Sequence, residues 1–462
     1  MTMVTYKIRV NRPCRLFIDD EEIAILEELK LAKFDLPEGE YLRKVVAIDN
    51  TSIFDEAVIV LSGASKLENI TLDTIGLDEQ KSIAFPVEGV QIGDLLYKYY
   101  LDGSGVYVEK CVNSDATSIN IPSQINFAYR LYDVVKIGEK AFWYCHSLRS
   151  ISIPNGIHSI EECAFYHCKN LNSVTIPNSV TYIGKSAFAD CVRLESVCIN
   201  EGVKTIEECA FENTRLKFIS LPDSLLFIGQ EAFHGCLFES IFIPKNVSQI
   251  RTNAFPGSVK SIQVDVENQF YDSRNNCNAI IKTSTNALIK GGDNTIIPSS
   301  VTSIYPFAFA DCSFEEINIP DGVKSIDAYA FFQCYSLKKV HLPMTIEEFG
   351  PCIFFACWDL TQIELPEGIT SISDHMFYGS SLLSVKIPST VKTIGEGAFK
   401  CCDLMNITLP ASVESIGKEA FTIKDGQRKF VYIPAGTHHK FKKMEGIKEI
   451  INNIYLTELI PV

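Results

Sequence analysis

The 462 residues carry 57 acidic and 42 basic side chains, a formal charge of −15, and are 46% hydrophobic. That apolar share supports a sizeable core and excludes a disordered chain, while the length exceeds one ordinary globular domain. The negative balance excludes nucleic acid and anionic membranes as generic partners, since both need a positive field.

The opening stretch, MTMVTYKIRVNRPCRLF, alternates like a strand and has neither an apolar h-region nor a small-residue cleavage site. No run approaches the roughly 18 apolar residues of a membrane-spanning helix, so no membrane insertion is expected. As written, the chain is expected in the cytoplasm; the alternative is the cell surface or secretion, if a signal has been removed. Residues 1–80 carry no repeat. Segments 6–10, 15–19, 41–48 and 57–61 are strand-like, with turns at Asp19-Asp20 and Pro37-Glu38-Gly39, which predicts a small antiparallel β-sandwich. The acidic run Asp19-Asp20-Glu21-Glu22 reads as a solvated turn, because Ca²⁺-loop spacing is missing. Residues 81–135 form a connecting hairpin and N-terminal cap, with residues 96–112 turning at Asp102-Gly103.

From 136 to 430 the chain repeats a unit of 22 or 23 residues, L-x-x-I-x-I-P-x-x-V-x-x-I-x-x-x-A-F-x-x-C, seen cleanly at 171–191 as LNSVTIPNSVTYIGKSAFADC. Its twelve phenylalanines are Phe142, Phe165, Phe188, Phe211, Phe233, Phe255, Phe309, Phe331, Phe354, Phe377, Phe399 and Phe421. A fixed period in this range predicts a mainly β solenoid of about twelve stacked coils. Within a coil, I-x-I alternates as a half-buried strand and proline ends it, having no N–H to donate. V-x-x-I makes a second short strand. A glycine after it (Gly184, Gly229, Gly395, Gly417) suits a tight bend, and the phenylalanine fills the space between the two strand layers. One step, Phe255 to Phe309, is 54 residues. The excess, at about 265–295, predicts a β-hairpin with strands 279–282 and 287–290 protruding from the solenoid edge. Residues 431–462 read as a C-terminal cap: one last strand, then a basic helix-like stretch around 440–448. His438 and His439 there lack a third ligand and form a surface pair.

Eight of the sixteen cysteines sit three residues after the phenylalanine: Cys145, Cys168, Cys191, Cys236, Cys312, Cys334, Cys357 and Cys402. Other coils place Thr214, Ser258, Ser380 or Lys424 there, so the site takes a small side chain with a weak hydrogen-bonding group. Two runs of three and two singletons cannot all pair between neighbours, which favours buried free thiols over disulfides. Cys163, Cys209 and Cys352 share a second repeat position, and paired C-x-x-C spacing is absent. The reading is no metal and no cofactor.

The outward strand positions form two columns. One runs Ser150, Ser173, Ser196, Phe218, Ser240, Ser261 and on to Asn406; the other runs Ser152, Thr175, Cys198, Ser220, Phe242, Gln263 and on to Thr408. Phe218 and Phe242 interrupt a hydroxyl ladder that includes Ser196, Ser220 and Ser240, and two aromatics on adjacent coils suit an apolar contact. Lys339, His341 and Glu364 make a charged group further on; on a charged sheet such neighbours arise by chance, and no catalytic residue is assigned. Phosphate-loop, zinc-protease and nucleophile-elbow motifs are absent. The expected role is a non-enzymatic module that binds a protein partner through the strand face. The alternative is an exported adhesin or structural protein.

Over residues 90–462 the repeat resembles the BspA-type leucine-rich repeat family, including the Tyr432-Ile433-Pro434 end. Asn200 and Asp265 replace its proline, and Glu161, Glu207, Arg251 and Asp327 its glycine. The resemblance implies a bacterial interaction protein, often on the surface of gut or oral anaerobes and associated with adhesion, with no catalytic residues to carry over. Residues 1–80 resemble the PEGA-type sandwich through Leu16-Phe17-Ile18-Asp19 and Leu36-Pro37-Glu38-Gly39-Glu40-Tyr41, without that family's usual glycine after the aspartate.

Overall fold

The computed structural model describes residues 85–100, 105–127, 130–422, 429–448 and 454–459, together with the backbone of seven strands before them. Two compact units result: residues 1–90, 98–106 and 124–133 in one, and 91–97, 107–123 and 134–462 in the other.

In the first unit, Leu31–Pro37, Met3–Arg9 and Asn69–Thr71 make a three-stranded sheet. Glu21–Leu26, Cys14–Ile18, Gly39–Ala47 and Ile53–Leu61 make a four-stranded antiparallel one. The four strands expected from alternation are present. Glu21 and Glu22, expected in a turn, instead open a strand. The side chains of the PEGA-like stretches lie outside the described residues, as does the turn at Asp102-Gly103 between Leu95–Tyr99 and Val106–Cys111.

The second unit is a β-solenoid with almost no helix. Its strand face is built of short parallel ladders in coil-to-coil register, such as Ser173–Ile176 on Ser196–Ile199 and Ser240–Ile243 on Ser261–Val264. A second ladder stacks two-residue strands, Ser159–Ile160, Tyr182–Ile183, Thr205–Ile206, Phe227–Ile228 and Gln249–Ile250. Between the layers all twelve phenylalanines are buried, each 0–1% exposed. They stack as two columns of rings, Phe142 to Phe255 and Phe309 to Phe421, with centroids 4.8–6.1 Å apart and planes within 14°.

The turn segment around each phenylalanine is a third ladder that the repeat pattern did not disclose. The N–H groups of Lys140, Phe142 and Tyr144 donate to the carbonyls of Glu162, Ala164 and Tyr166 at 3.0, 2.7 and 3.0 Å, and the next coil repeats this. To aim alternate N–H groups along the stack, the residue two before the phenylalanine takes a positive φ in every coil. Only Gly397 among these is glycine; the rest include Lys140 (57°), Cys163 (55°), Tyr329 (58°) and Glu419 (52°). Left-handed backbone costs about 1–2 kcal/mol for such residues, and the inter-coil bonds offset it. The glycines expected to make bends have a different reason. Gly184 lacks a positive φ, but a Cβ there would lie 2.7 Å from the carbonyl carbon of Glu161; at Gly229 the distance to Glu207 is 2.4 Å. They are glycine because the preceding coil presses against them.

The insertion also differs from expectation. Ala279–Lys282 and Ala287–Gly291 do pair antiparallel, but the hairpin does not protrude. Residues 279–281 and 287–291 are buried, and the second strand pairs in parallel with Ser303–Ile304. Segments reading A-I-I and A-L-I are apolar on both faces and need cover on both, so the hairpin enters the second ladder and restarts it. The preceding ladders end on its side chains. The Tyr271 hydroxyl accepts from Ile250 N–H at 2.9 Å, and Asn278 Oδ1 accepts from Ile262 N–H at 2.7 Å while its Nδ2 donates to Lys260 O at 2.9 Å.

At the C-terminus, Lys429–Pro434 and Ile454–Leu459 extend the strand face in parallel, around the short helices His438–Lys442 and Glu445–Lys448. Among the described residues, no helix is long and apolar enough to cross a membrane.

Candidate partner-binding site

The outward positions hold Ser196, Ser220, Ser240, His341 and Glu364 exposed and Lys339 half-buried. Among the described residues, however, the strand expected in the coil of Phe218 and Ser220 is absent, and the ladders on either side of it, Ser173–Ile176 with Ser196–Ile199 and Ser240–Ile243 with Ser261–Val264, are separate. Phe218 is 80% exposed between buried Leu216 and Leu221; Phe242 is 47% exposed and sits in register with Gln263. Phe242 also lines a groove of about 740 Å³ with Gln263, Asp265, Val266, Arg274 and Asn276, where the insertion leaves the strand face. Phe218 is not among the groove's residues. The outward columns pass over the inserted coil, which adds three more exposed apolar side chains, Val266 (99%), Phe270 (48%) and Ile296 (77%).

Lys339, His341 and Glu364 do share one concavity of about 370 Å³, with Thr361, Gln362 and Ser384. His341 Nε2 hydrogen-bonds Glu316, which does not line the concavity, and Lys339 Nζ lies 3.9 Å from the same carboxylate. The bond from His341 holds the Glu316 carboxyl below its usual range. Both partners are exposed, so the group is a solvated charge cluster of little energetic weight.

The turn face carries a feature the sequence reading passed over. Phe307 stacks on Tyr329 at 4.8 Å, Phe332 on Phe355 at 5.6 Å and Phe355 on Tyr378 at 4.5 Å, with Tyr335 and the 57%-exposed Trp358 alongside at 4.5 Å. The available signal was aromatic residues at one repeat position, directly after the spine phenylalanine, on three successive coils.

Cys209, Glu212 and Glu231 bring three potential metal-binding atoms within 4.8 Å of one another. Burial first, then the Glu212 and Glu231 carboxylates, push the Cys209 thiol above its ordinary value. The thiol donates to Glu231 Oε2 at 3.7 Å.

Against known families, the model of the BspA type leucine rich repeat region matches in six copies over residues 135–285 and 293–426, more than half of the chain. The chain belongs to the BspA-type leucine-rich repeat family. Among solved structures, this BspA-type protein is similar to a leucine rich cell surface protein from Faecalibacterium prausnitzii, with 26% identity, TM-score 0.59, and coverage of 77% of this chain and 97% of that one. The pneumococcal vaccine antigen PcpA shares the fold at 19% identity and TM-score 0.59, over 81% of this chain and 98% of its own. A leucine-rich repeat protein from Eubacterium ventriosum does so at 22% identity and TM-score 0.55, over 72% and 93%. No curated protein matches the sequence.

Proposed function

We propose that this BspA-type protein is a non-enzymatic binding module that takes a protein partner through the strand face of its solenoid. One observation carries the reading: Phe218 and Phe242, 80% and 47% exposed, each interrupt one of the two outward columns of mostly small hydroxyl side chains. Large exposed aromatics set among serines are the composition of an interface anchor surrounded by near-neutral contacts. Ser196, Ser220 and Ser240 form that surround, and the charged Lys339, His341 and Glu364 lie along the same face as a polar flank. The proposed organisation is a PEGA-like sandwich at 1–80, a connecting cap at 81–135, the solenoid at 136–430 and a closing cap at 431–462.

A second reading, an exported surface adhesin, draws on the Faecalibacterium prausnitzii relative, which is described as a cell surface protein. The two readings share a binding face and differ in address.

The test is capture from bacterial lysate and, in parallel, from host extracellular-matrix protein, with wild type beside the Phe218→Ser, Phe242→Ser double variant. A partner held by the wild type and lost by the double variant is the expected result, and the compartment it comes from decides the address. A partner held equally by both would remove the strand-face reading.

A further inference from the structure

The buried thiols form a line of contacts that runs past the end of the repeat. At the position three after the phenylalanine, adjacent coils bring side-chain tips together. Thr214 Oγ1 lies 3.1 Å from Cys236 Sγ, and Ser380 Oγ 3.3 Å from Cys402 Sγ. Six of the eight ladder thiols also donate to the phenylalanine carbonyl of the coil before, Cys168 to Phe142 O and Cys191 to Phe165 O among them, both at 3.1 Å, while Cys312 donates to Gly291 O. Cys145, Cys168 and Cys191 fill three successive rungs. Cys111 supplies a fourth: its N–H donates to Ala141 O at 2.6 Å, against the first coil, and its thiol is hydrogen-bonded with that of Cys145. Three rungs cannot pair evenly, and four can.

The two ends of this line differ. Cys111 is 6% exposed and Cys145 5%, whereas Cys168 and Cys191 are 0% exposed. We propose that Cys111 and Cys145 are a redox pair, which a low-molecular-weight disulfide oxidises to an intramolecular bond that staples residues 107–123 to the first coil. The electrostatics agree with the placement. The hydrogen bond from Cys145 brings the Cys111 thiol down to about 7, against burial and the Asp94 charge, and while protonated that thiol donates to Asn113 O at 3.2 Å. The bond to Cys111 and burial push Cys145 up, with Cys168 adding to the rise and Lys110 opposing it. Cys111 is therefore the attacking thiolate and Cys145 the resolving thiol.

With oxidised glutathione, the Cys111 thiolate attacks one sulfur and expels a glutathione thiolate, leaving a mixed disulfide. Cys145 then loses its proton and attacks the Cys111 sulfur, expelling the second glutathione. One disulfide is reduced to two thiols while the protein dithiol becomes one disulfide, so electrons balance. The staple lies at the N-terminal end of the repeat, where Val106–Cys111 pairs between Leu95–Tyr99 and Arg130–Ile137.

The experiment uses the reduced full chain, incubated without air with oxidised glutathione, then denatured, alkylated and mapped by peptide mass spectrometry. The expected product is a Cys111–Cys145 cross-linked peptide with two glutathiones released per chain, forming faster at pH 7 than at pH 6 as the thiolate fraction grows. Cys145→Ser should stop at a stable glutathione adduct on Cys111, and Cys111→Ser should leave Cys145 alkylatable. Because serine and threonine already occupy ladder rungs, these variants keep the fold. Absence of the cross-link in wild type together with absence of the Cys111 adduct in Cys145→Ser overturns the pair. So does oxidation that reaches exposed Cys198 and leaves Cys111 and Cys145 alkylatable.

Discussion

A side chain on one rung of a solenoid meets the same neighbours in every coil, so its chemistry is set by the stack more than by its own segment. The thiol rung illustrates this. Exchange of cysteine with serine and threonine announced a small, weakly polar side chain, and the buried rungs are free thiols. The acceptor was not legible, because a carbonyl from the preceding coil is placed by stacking and not by local sequence. Lys290 is the opposite case. In sequence it is one polar residue of a hairpin; in the fold it is 3% exposed, and its Nζ has no hydrogen-bond partner among the described residues. Nearby Asp311, held at φ 59°, has its carboxyl pushed up by burial, with His234 and Lys290 pulling the other way. A raised carboxyl means the fold holds its proton more tightly than the unfolded chain does. Relative to a neutral side chain, Asp311 is thus harmless below the unfolded value, near 4, and costs stability as pH rises through the folded one. Asp311→Asn keeps a residue that tolerates left-handed backbone. Its urea midpoint should match wild type at pH 3 and exceed it at pH 7. A lower midpoint at pH 7 would mean that Lys290 needs the carboxylate as a counter-charge.

At the scale of elements, the insertion shows how far pattern reading reaches. Both hairpin strands were legible from apolar runs flanking the polar Thr283–Asn286 turn. Their destination was not, although residues 279–281 and 287–289, apolar on both faces, carried the hint that neither face meets water. The splice instead depends on side chains that imitate peptide groups. Asn278 is its keystone: at φ 58° its amide bonds both Ile262 N–H and Lys260 O, and its carbonyl accepts from Thr295 Oγ1 at 2.7 Å. Asn278→Ala loses both amide bonds and places a non-glycine, non-asparagine residue in left-handed backbone, for a cost of about 2–4 kcal/mol. Asn278→Gly relieves the backbone and still loses the bonds. In denaturant titrations alanine should therefore be the worse of the two by about 1 kcal/mol. Equal costs would assign the whole effect to the hydrogen bonds.

Across the solenoid as a whole, each coil touches only its neighbours, and stability is close to a sum of coil and interface terms. The period made this architecture legible; the break in its ring column was not, since a 54-residue step could equally have looped out and left the stack continuous. The rings run unbroken from Phe142 to Phe255 and again from Phe309 to Phe421, with buried hairpin strands restarting the second ladder between them. Gly291 is part of the join: a Cβ there would lie 2.1 Å from the Phe309 ring. A defect in one column should therefore spread along that column and weaken at the splice. Phe188, 0% exposed and stacked on both sides at 4.9 and 5.2 Å, is the clearest place to make one. Phe188→Ala removes a buried aromatic and leaves a cavity, costing about 3–5 kcal/mol. Amide hydrogen exchange should then quicken through the coils of Phe165 and Phe211 and stay near wild-type rates beyond Phe309. Equal quickening on both sides of residues 265–295 would show that the insertion couples the two columns as tightly as an ordinary coil interface does.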